Sequence, residues 1–419
     1  MLDDGSAGQA SPWRAAWRDF GPVYAGTGLA GFVFAATGPV AIVLAVAAQG
    51  GLDDTRLASW IFTCFFVNGL LTIAASAWLR MPLVFFWTIP GTVLMGPALT
   101  HFSHAEVLGA CLATGVLMVV LGATRLVGRI TRAIPMPIVM AMVAGVFLKF
   151  GIDLVVALHE DAWIAVPMTI AFLGLSAWPG AARRAPPLLV ALALGVALIL
   201  ASGAAEPGAT DGPRFAQPLL IAPEFRLAAM AELVVPLAVT VIAVQNMQGI
   251  AVLAAAGHQA LADATTLACG VWTVASAFTA GAPTCLAGPT NAIATSAGEA
   301  QRHYTAAIFT GVLAVVFGLF APLFTRLLLA MPAAFIATLA GLAMLRVLQA
   351  AFVTSFGGRF SFGALASLLV TVSGVSIGGI GAAFWGLVAG MLVSLMLERD
   401  DFAANRASRP TAAAGRTTQ

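Results

Sequence analysis

The sequence predicts an all-α polytopic membrane protein of 14 transmembrane segments, built as two inverted 7-span repeats in which spans 3 and 10 are broken into an extended half and a half-helix. Three observations predict it: an apolar, charge-poor composition, a phrase written twice, and two Pro/Gly breaks at matching places. Of 419 residues, 60% are hydrophobic and 9% charged, with a mean hydropathy of +0.96, against a soluble norm of about 45–50% and about 25%. A soluble core could not hide that much apolar surface, so the solvent is a lipid bilayer. The net charge of +2 is too small to suggest nucleic acid. Cys64, Cys111, Cys269 and Cys285 lie inside apolar runs without the close pairing of a metal site and read as packing residues. The opening "MLDDGSAGQASPWRAAWRDF" is acidic and polar rather than basic then apolar, so it is not a cleaved signal peptide. Residues 1–20 read instead as a cytoplasmic segment with an interfacial helix.

Runs of about 20 apolar residues place spans at 21–48, 56–79, 105–124, 135–157, 161–178, 185–203, 228–256, 262–281, 303–327, 331–353, 361–379 and 381–397. Two further stretches, 82–101 and 282–299, are apolar but interrupted by Pro and Gly, and complete the fourteen crossings. Cytoplasmic loops should be richer in Arg and Lys. With both termini inside, the cytoplasmic side receives Arg14, Arg18, Arg80, Arg125, Arg129, Arg132, Arg183, Arg184, Arg302, Arg359, Arg399, Arg406, Arg409 and Arg416, and the outer side only Arg56, Arg214, Arg226 and Arg326.

"TGVLMVVLG" at Thr114 to Gly122 and "TGVLAVVFG" at Thr310 to Gly318 are identical at seven of nine positions. Gly145 and Gly341 keep the same offset, each shortly after a basic stretch ending in Pro, "RITRAIPMP" and "FTRLLLAMP". Seven spans separate the copies, and an odd number reverses direction across the membrane. The chain therefore divides into a first repeat at 21–203, an extracytoplasmic linker at 204–227, a second repeat at 228–397 and a cytoplasmic disordered tail at 398–419.

Function belongs at the broken spans. Span 3 reads "PLVFFWTIPGTVLMGPAL" and span 10 "APTCLAGPTNAIATSAG", each an extended stretch, a Pro/Gly break and a helix-compatible segment. Pro suits the first turn of a helix, and Ser, Thr or Asn cap its free donors. Non-helical backbone at membrane depth survives only buried in protein or lining a cavity. Two such breaks in inverted halves point to a transporter's binding site, with facing helix N-termini that suit an anion. Span 8 adds Gln245, Asn246 and Gln248 to an apolar helix, amides that can grip a carboxylate or bridge helices without a buried charge.

The run "TVIAVQNMQGIAVLAAAG", followed by "GAPTCLAGPTNAIATSAG", "RHYTAAIFTGVLAVVFGLF" and "MPAAFIATLAGLAML", resembles the benzoate/proton symporter family (BenE type), itself similar in fold to nucleobase permeases and sulfate-type anion transporters. The likeness is strongest from Val234 to Leu345, and its most specific element is the Gln245-Asn246 pair before Gly249-Ile250-Ala251-Val252-Leu253. It implies a core domain (21–124 and 228–327) that carries substrate past a gate domain (125–203 and 328–397), importing benzoate with protons across a bacterial-type inner membrane. Two departures stand out. Met247-Gln248 replaces the family's Leu-Pro, and span 10 lacks the family's His, since no His occurs between His258 and His303.

An aromatic carboxylate fits the residues in reach. Its carboxylate is expected between the half-helix N-termini at Gly91-Thr92 and Thr290, with Asn291, Gln245 and Asn246 as donors, and its ring against Phe34, Phe86 and Trp87. Substrate acids titrate near about 4, so protons need a carrier; Glu299 and Asp153 are the first acids to test, Asp153 lying one turn from Lys149. Glu232 reads as a capping or solvated acid, and His101 and His104 as interfacial. No catalytic arrangement, metal-ligand cluster or phosphate loop argues for an enzyme, a metal or a cofactor. A homodimer is compatible with this reading. The alternatives within the fold are a nucleobase or other anion carrier and an uncoupled anion channel.

Overall fold

The computed structural model describes residues 12–129, 135–178, 180, 187–203, 212–377 and 380–407. Residues 1–11, part of the linker (204–211), the end of the tail (408–419), most of the basic stretch before Pro135, and Arg132, Arg183, Arg184, Arg409 and Arg416 lie outside the described residues. Seven helices among those described are long and apolar enough to cross a membrane, and five shorter apolar helices accompany them.

The first half runs α1 (Pro12–Asp19), α2 (Pro22–Ala36), α3 (Gly38–Gln49), α4 (Asp54–Phe62), a π turn (Thr63–Val67), α5 (Asn68–Leu79), β1 (Phe85–Trp87), α6 (Ile89–Leu99), α7 (His104–Ala123), α8 (Met136–Glu160), α9 (Ala162–Ala177) and α10 (Pro187–Ser202). The second runs α11 (Leu227–Val239), a π turn (Thr240–Asn246), α12 (Met247–Ala255), α13 (Ala262–Ala277), β2 (Thr284–Leu286), α14 (Gly288–Ala294), α15 (His303–Leu319), α16 (Ala321–Leu329), α17 (Ala333–Phe356), α18 (Ser361–Ser373), α19 (Ala382–Leu397) and α20 (Arg399–Ala407). Helix ends fall within a few residues of most expected spans. Spans 1 and 11 are each divided in two: α2 stops at Ala36 and α3 begins at Gly38, and α15 stops at Leu319 and α16 begins at Ala321, because Pro39 and Pro322 cannot continue the ladder but fit a new first turn.

The tail is corrected in part. Residues 399–407, expected to be disordered, form α20, which docks through the ring of Phe402 on Phe360 at 4.8 Å. Glu398 accepts the N–H groups of Phe362 and Gly363, and Asp401 that of Phe360, so acids of the tail cap the otherwise open start of α18.

The helices pack into two groups. One holds α2–α7 with α11–α16; the other holds α8–α10 with α17–α19; they meet along α3 and α17, α6 and α8, and α11 and α19. The repeated phrase explains how the first group closes. Gly115 on α7 packs on Gly270 of α13, where an added Cβ would stand 3.0 Å from the Gly270 carbonyl. Gly311 on α15 packs on Gly69 of α5 in the same way, again 3.0 Å from the facing carbonyl. Each half lends its glycine-bearing helix to the other half, and only small residues permit so close an approach.

Candidate functional site

The breaks of spans 3 and 10 meet as a two-stranded antiparallel ladder, with Phe85 opposite Leu286, Phe86 opposite Cys285 and Trp87 opposite Thr284. Thr88 N–H to Pro283 O (2.8 Å) and Ala287 N–H to Val84 O (2.9 Å) extend it at both ends. Because the strands are antiparallel, α6 leaves one end of the ladder and α14 the other. Both helices start in the protein interior and point away from each other.

A ladder of two strands leaves its outer edges unpaired, which is costly away from water. Side chains meet that need. Thr72 Oγ1 accepts the Phe85 N–H and donates to the Phe85 carbonyl (2.9 and 3.0 Å). Thr273 Oγ1 accepts the Thr284 N–H, Asn68 Oδ1 accepts the Thr284 hydroxyl, and Asn246 Oδ1 accepts the Leu286 N–H at 2.9 Å. Asn68 also donates to the carbonyls of Thr63 and Cys64, and this side chain inserted in the ladder accounts for the π turn there.

The two helix starts differ. At α6, Thr88 Oγ1 accepts the Gly91 N–H (3.2 Å) and the Thr92 hydroxyl donates to Thr88 O (2.9 Å), so Gly91 and Thr92 spend their donors on the cap itself. At α14 the N-cap is Ala287, which offers no side-chain cap. Among the described residues, the N–H groups of Gly288 and Thr290 and the Thr290 hydroxyl have no partner. Asn291, expected as a ligand donor, is fully committed: Oδ1 accepts the Val84 N–H, and Nδ2 donates to the carbonyls of Val84 and Ala287. Its place is behind the ladder.

Span 8 supplies the free amides. Asn246 is 1% exposed, and its Nδ2 has no partner although its Oδ1 is used. Gln245 is buried and its amide makes no hydrogen bond among the described residues. Gln248 packs over Gly288, where an added Cβ would stand 2.9 Å from its Cγ, while Gly249 seats on Leu286. On the opposite side Gly31 of α2 touches the Thr290 methyl, and Phe34 follows one turn later, half-buried. Phe86 and Trp87 are buried in an aromatic cluster with Phe65, at ring distances of 5.7 and 5.1 Å, and the Trp87 Nε1 is left without a partner. Unpartnered buried donors are rare and call for an explanation. Asn246, Trp87, Gly288 and Thr290 carry five unpartnered donors on or beside the two breaks.

The acids are distributed differently from the expectation. Asp153 is half-buried and pairs with the exposed Lys149 at 2.9 Å, while Glu299 is exposed in the segment that follows α14. Glu232 is not solvated and does not cap its own helix: it is 5% exposed, and its Oε2 lies 3.1 Å from His101 Nε2 and accepts the Gly381 N–H at 2.7 Å. Its signal in the sequence was an acid inside the apolar start of span 8, but its partners lie 131 and 149 positions away. At the cytoplasm-assigned end, Tyr304 donates to Asp19 Oδ2 (2.8 Å), which holds that carboxyl below its usual range. His258 lies 3.3 Å from His303, and burial, then the His303 charge, lowers its pKa.

The fold is that of known anion transporters. It matches the transmembrane domain of a cyanobacterial bicarbonate transporter, BicA, at 17% identity over 90% of this chain and 97% of that one, with a TM-score of 0.55. Murine Slc26a9, an anion transporter in the inward-facing state, matches at 11% identity over 96% and 73% of the two chains, with a TM-score of 0.61. Residues 18–396 match the family of the benzoate membrane transport protein, and the chain belongs to that family, so the protein is a multi-pass membrane transporter and not an enzyme. Inner membrane protein YdcO of Escherichia coli (strain K12) is 29% identical over 390 residues, 89% of this chain and 97% of that protein. The benzoate membrane transport protein of Acinetobacter baylyi is 27% identical over 368 residues, 86% and 91% of the two chains.

Proposed function

We propose that this transporter imports benzoate or a closely related small aromatic carboxylate together with protons. The observation that carries the reading is the set of uncommitted donors at the ladder: Asn246 Nδ2, the Gln245 amide, the Thr290 hydroxyl and the N–H groups of Gly288 and Thr290. A carboxylate there would gain hydrogen bonds worth about 1.5–3 kcal/mol each where the acceptor is charged. Phe34 supplies the ring wall, and Trp87 presents both an aromatic face and a free N–H. Gly91, Thr92, Phe86 and Asn291 frame the site from behind.

Transport then follows from the two packing groups, the core (21–124 and 228–327) moving against the gate (125–203 and 328–397). The antiparallel ladder and the exchanged glycine contacts support two inverted halves, read here as fourteen spans, and the Arg distribution supports both termini in the cytoplasm of a bacterial-type cell. The test is benzoate uptake into proteoliposomes with and without an inward proton gradient, on the wild type and on Gln245→Ala combined with Asn246→Ala. Gradient-driven accumulation that the double variant loses supports substrate, coupling and site. Uptake of other anions without any response to benzoate would return the protein to the wider anion-carrier fold.

A further inference from the structure

On the side of the molecule where α6 ends and α8 carries Asp153, a cavity of about 910 Å³ separates the two packing groups. His101, Glu232, Lys149 and Asp153 all line it, together with Gln49 of α3, Thr371 of α18 and Gly381. Glu232 sits where the groups touch. Its helix, α11, belongs to the group that holds the ladder, and Gly381 is the N-cap of α19 in the other. The fit is close: a Cβ on Gly381 would stand 2.5 Å from the Glu232 carboxylate. The carboxylate thus bonds the backbone at a helix N-terminus across the group boundary, where negative charge is favoured. His101, which follows α6 directly, is partly exposed in the cavity and reaches the same oxygen at 3.1 Å.

We infer that His101 and Glu232 form a proton-binding site that latches the two helix groups at Gly381 and releases them when a proton arrives from the cavity. The inference rests on the reading of the chain as a proton-driven importer. With neutral His101 and ionised Glu232 the pair carries one negative charge. One added proton brings it to zero whether it rests on the imidazole or the carboxyl, so the pull on the Gly381 N–H and the start of α19 weakens in either case. His101 is the exposed partner and so the point at which the proton enters.

The neighbouring charges leave this pair to act alone. On α8, Lys149 and Asp153 neutralise each other. On α7, Glu106 is engaged with Arg226 at the start of α11 (3.2 Å), and His104 is turned to the Trp60 ring. The segments α3, α6 and α19 carry no charged residue.

All four native cysteines are buried, so single introduced thiols report access. Leu233→Cys places one beside the latch at a position only 1% exposed, and Ser376→Cys places a reference thiol at an exposed position on the same cavity. Labelling by a membrane-impermeant maleimide, as the ratio of the two, cancels the pH dependence of thiol reactivity. The ratio should rise severalfold as external pH falls from about 8 to about 5. Glu232→Gln should hold it high and flat, and His101→Asn, which keeps a donor but no titration, should hold it low and flat. In proteoliposomes Glu232→Gln should keep benzoate exchange while losing accumulation driven by the proton gradient, a split that a merely structural role would not produce. A ratio that ignores pH in the parent, or a pH response that survives in both variants, overturns the latch. A pH-responsive ratio in a protein that does not move benzoate would overturn the substrate reading alone.

Discussion

Thr72 and Thr273 do the same work on opposite strands: Thr72 Oγ1 accepts the Phe85 N–H at 2.9 Å and Thr273 Oγ1 accepts the Thr284 N–H at 3.0 Å. Each sits one turn after the glycine that faces the other half of the chain, Gly69 on α5 and Gly270 on α13. Helix packing and strand anchoring are therefore set by one short piece of helix in each half. The ladder that carries the free donors is held from both sides by the same device.

Replacing either threonine by valine keeps the shape and removes the hydroxyl. Leaving a buried backbone N–H unpaired costs about 1–3 kcal/mol, so Thr72→Val and Thr273→Val should each lower the melting temperature in detergent, while Thr→Ser at either position should not. Valine variants that melt with the wild type would show that the strand edges are satisfied in another way.

The glycine contacts give a second expectation. A Cβ at Gly270 would stand 2.7 Å from the Val119 backbone N and 2.9 Å from the Gly115 carbonyl; at Gly311 it would stand 2.7 Å from the Ile73 side chain. Gly270→Val and Gly311→Val should each force the paired helices apart and cut the yield of monodisperse protein on size exclusion, with alanine milder at both. A tolerated valine at one site only would show that the two contacts are packed unequally.

The repeated phrase and the two Pro/Gly breaks were legible because both are written locally: close packing needs Gly on one helix face, and a broken span needs Pro and Gly within a few residues. The division of labour at the site was not. Thr290 and Asn291 are neighbours, and only the fold decides that Asn291 turns to Val84 while Thr290 turns to α2. Gly91 and Thr92 looked like ligand donors because only the fold shows that Thr88, just before Ile89-Pro90, turns its hydroxyl and carbonyl to them. Glu232 looked like a cap because the backbone it bonds belongs to Gly381, at the far end of the sequence. The helix at 399–407 was missed for the same reason, since its acids cap α18 rather than their own helix.

The difference between a free and a committed amide can be measured. Asn246→Ala removes the unpartnered Nδ2 and should weaken benzoate binding by roughly tenfold or more, the value of one hydrogen bond to a charged group. Its Oδ1 also holds the Leu286 N–H, so a modest loss of stability should accompany it. Asn291→Ala removes three bonds to the ladder and should chiefly lower the melting temperature and yield. Isothermal titration and thermal melts on the same preparations separate the two. A reversed pattern, with Asn291 governing affinity and Asn246 only stability, would move the carboxylate to the other face of α14.

Acid should loosen the loop after α12 through His258. Burial, then the nearby His303 charge, lowers the His258 pKa below the ordinary value of 6.5. The opened form therefore binds a proton more readily than the closed one, and the closed form loses stability as pH falls from 6.5 towards the lowered value. Below that value both forms are protonated and the loss is complete; above 6.5 there is none. Hydrogen exchange over residues 256–261 should accordingly speed up between about pH 7 and about pH 5, after correction for the intrinsic exchange rate. His258→Gln keeps a polar side chain without the titration and should flatten that dependence. An unchanged profile in the variant would show that the acid sensitivity of this loop does not arise at His258.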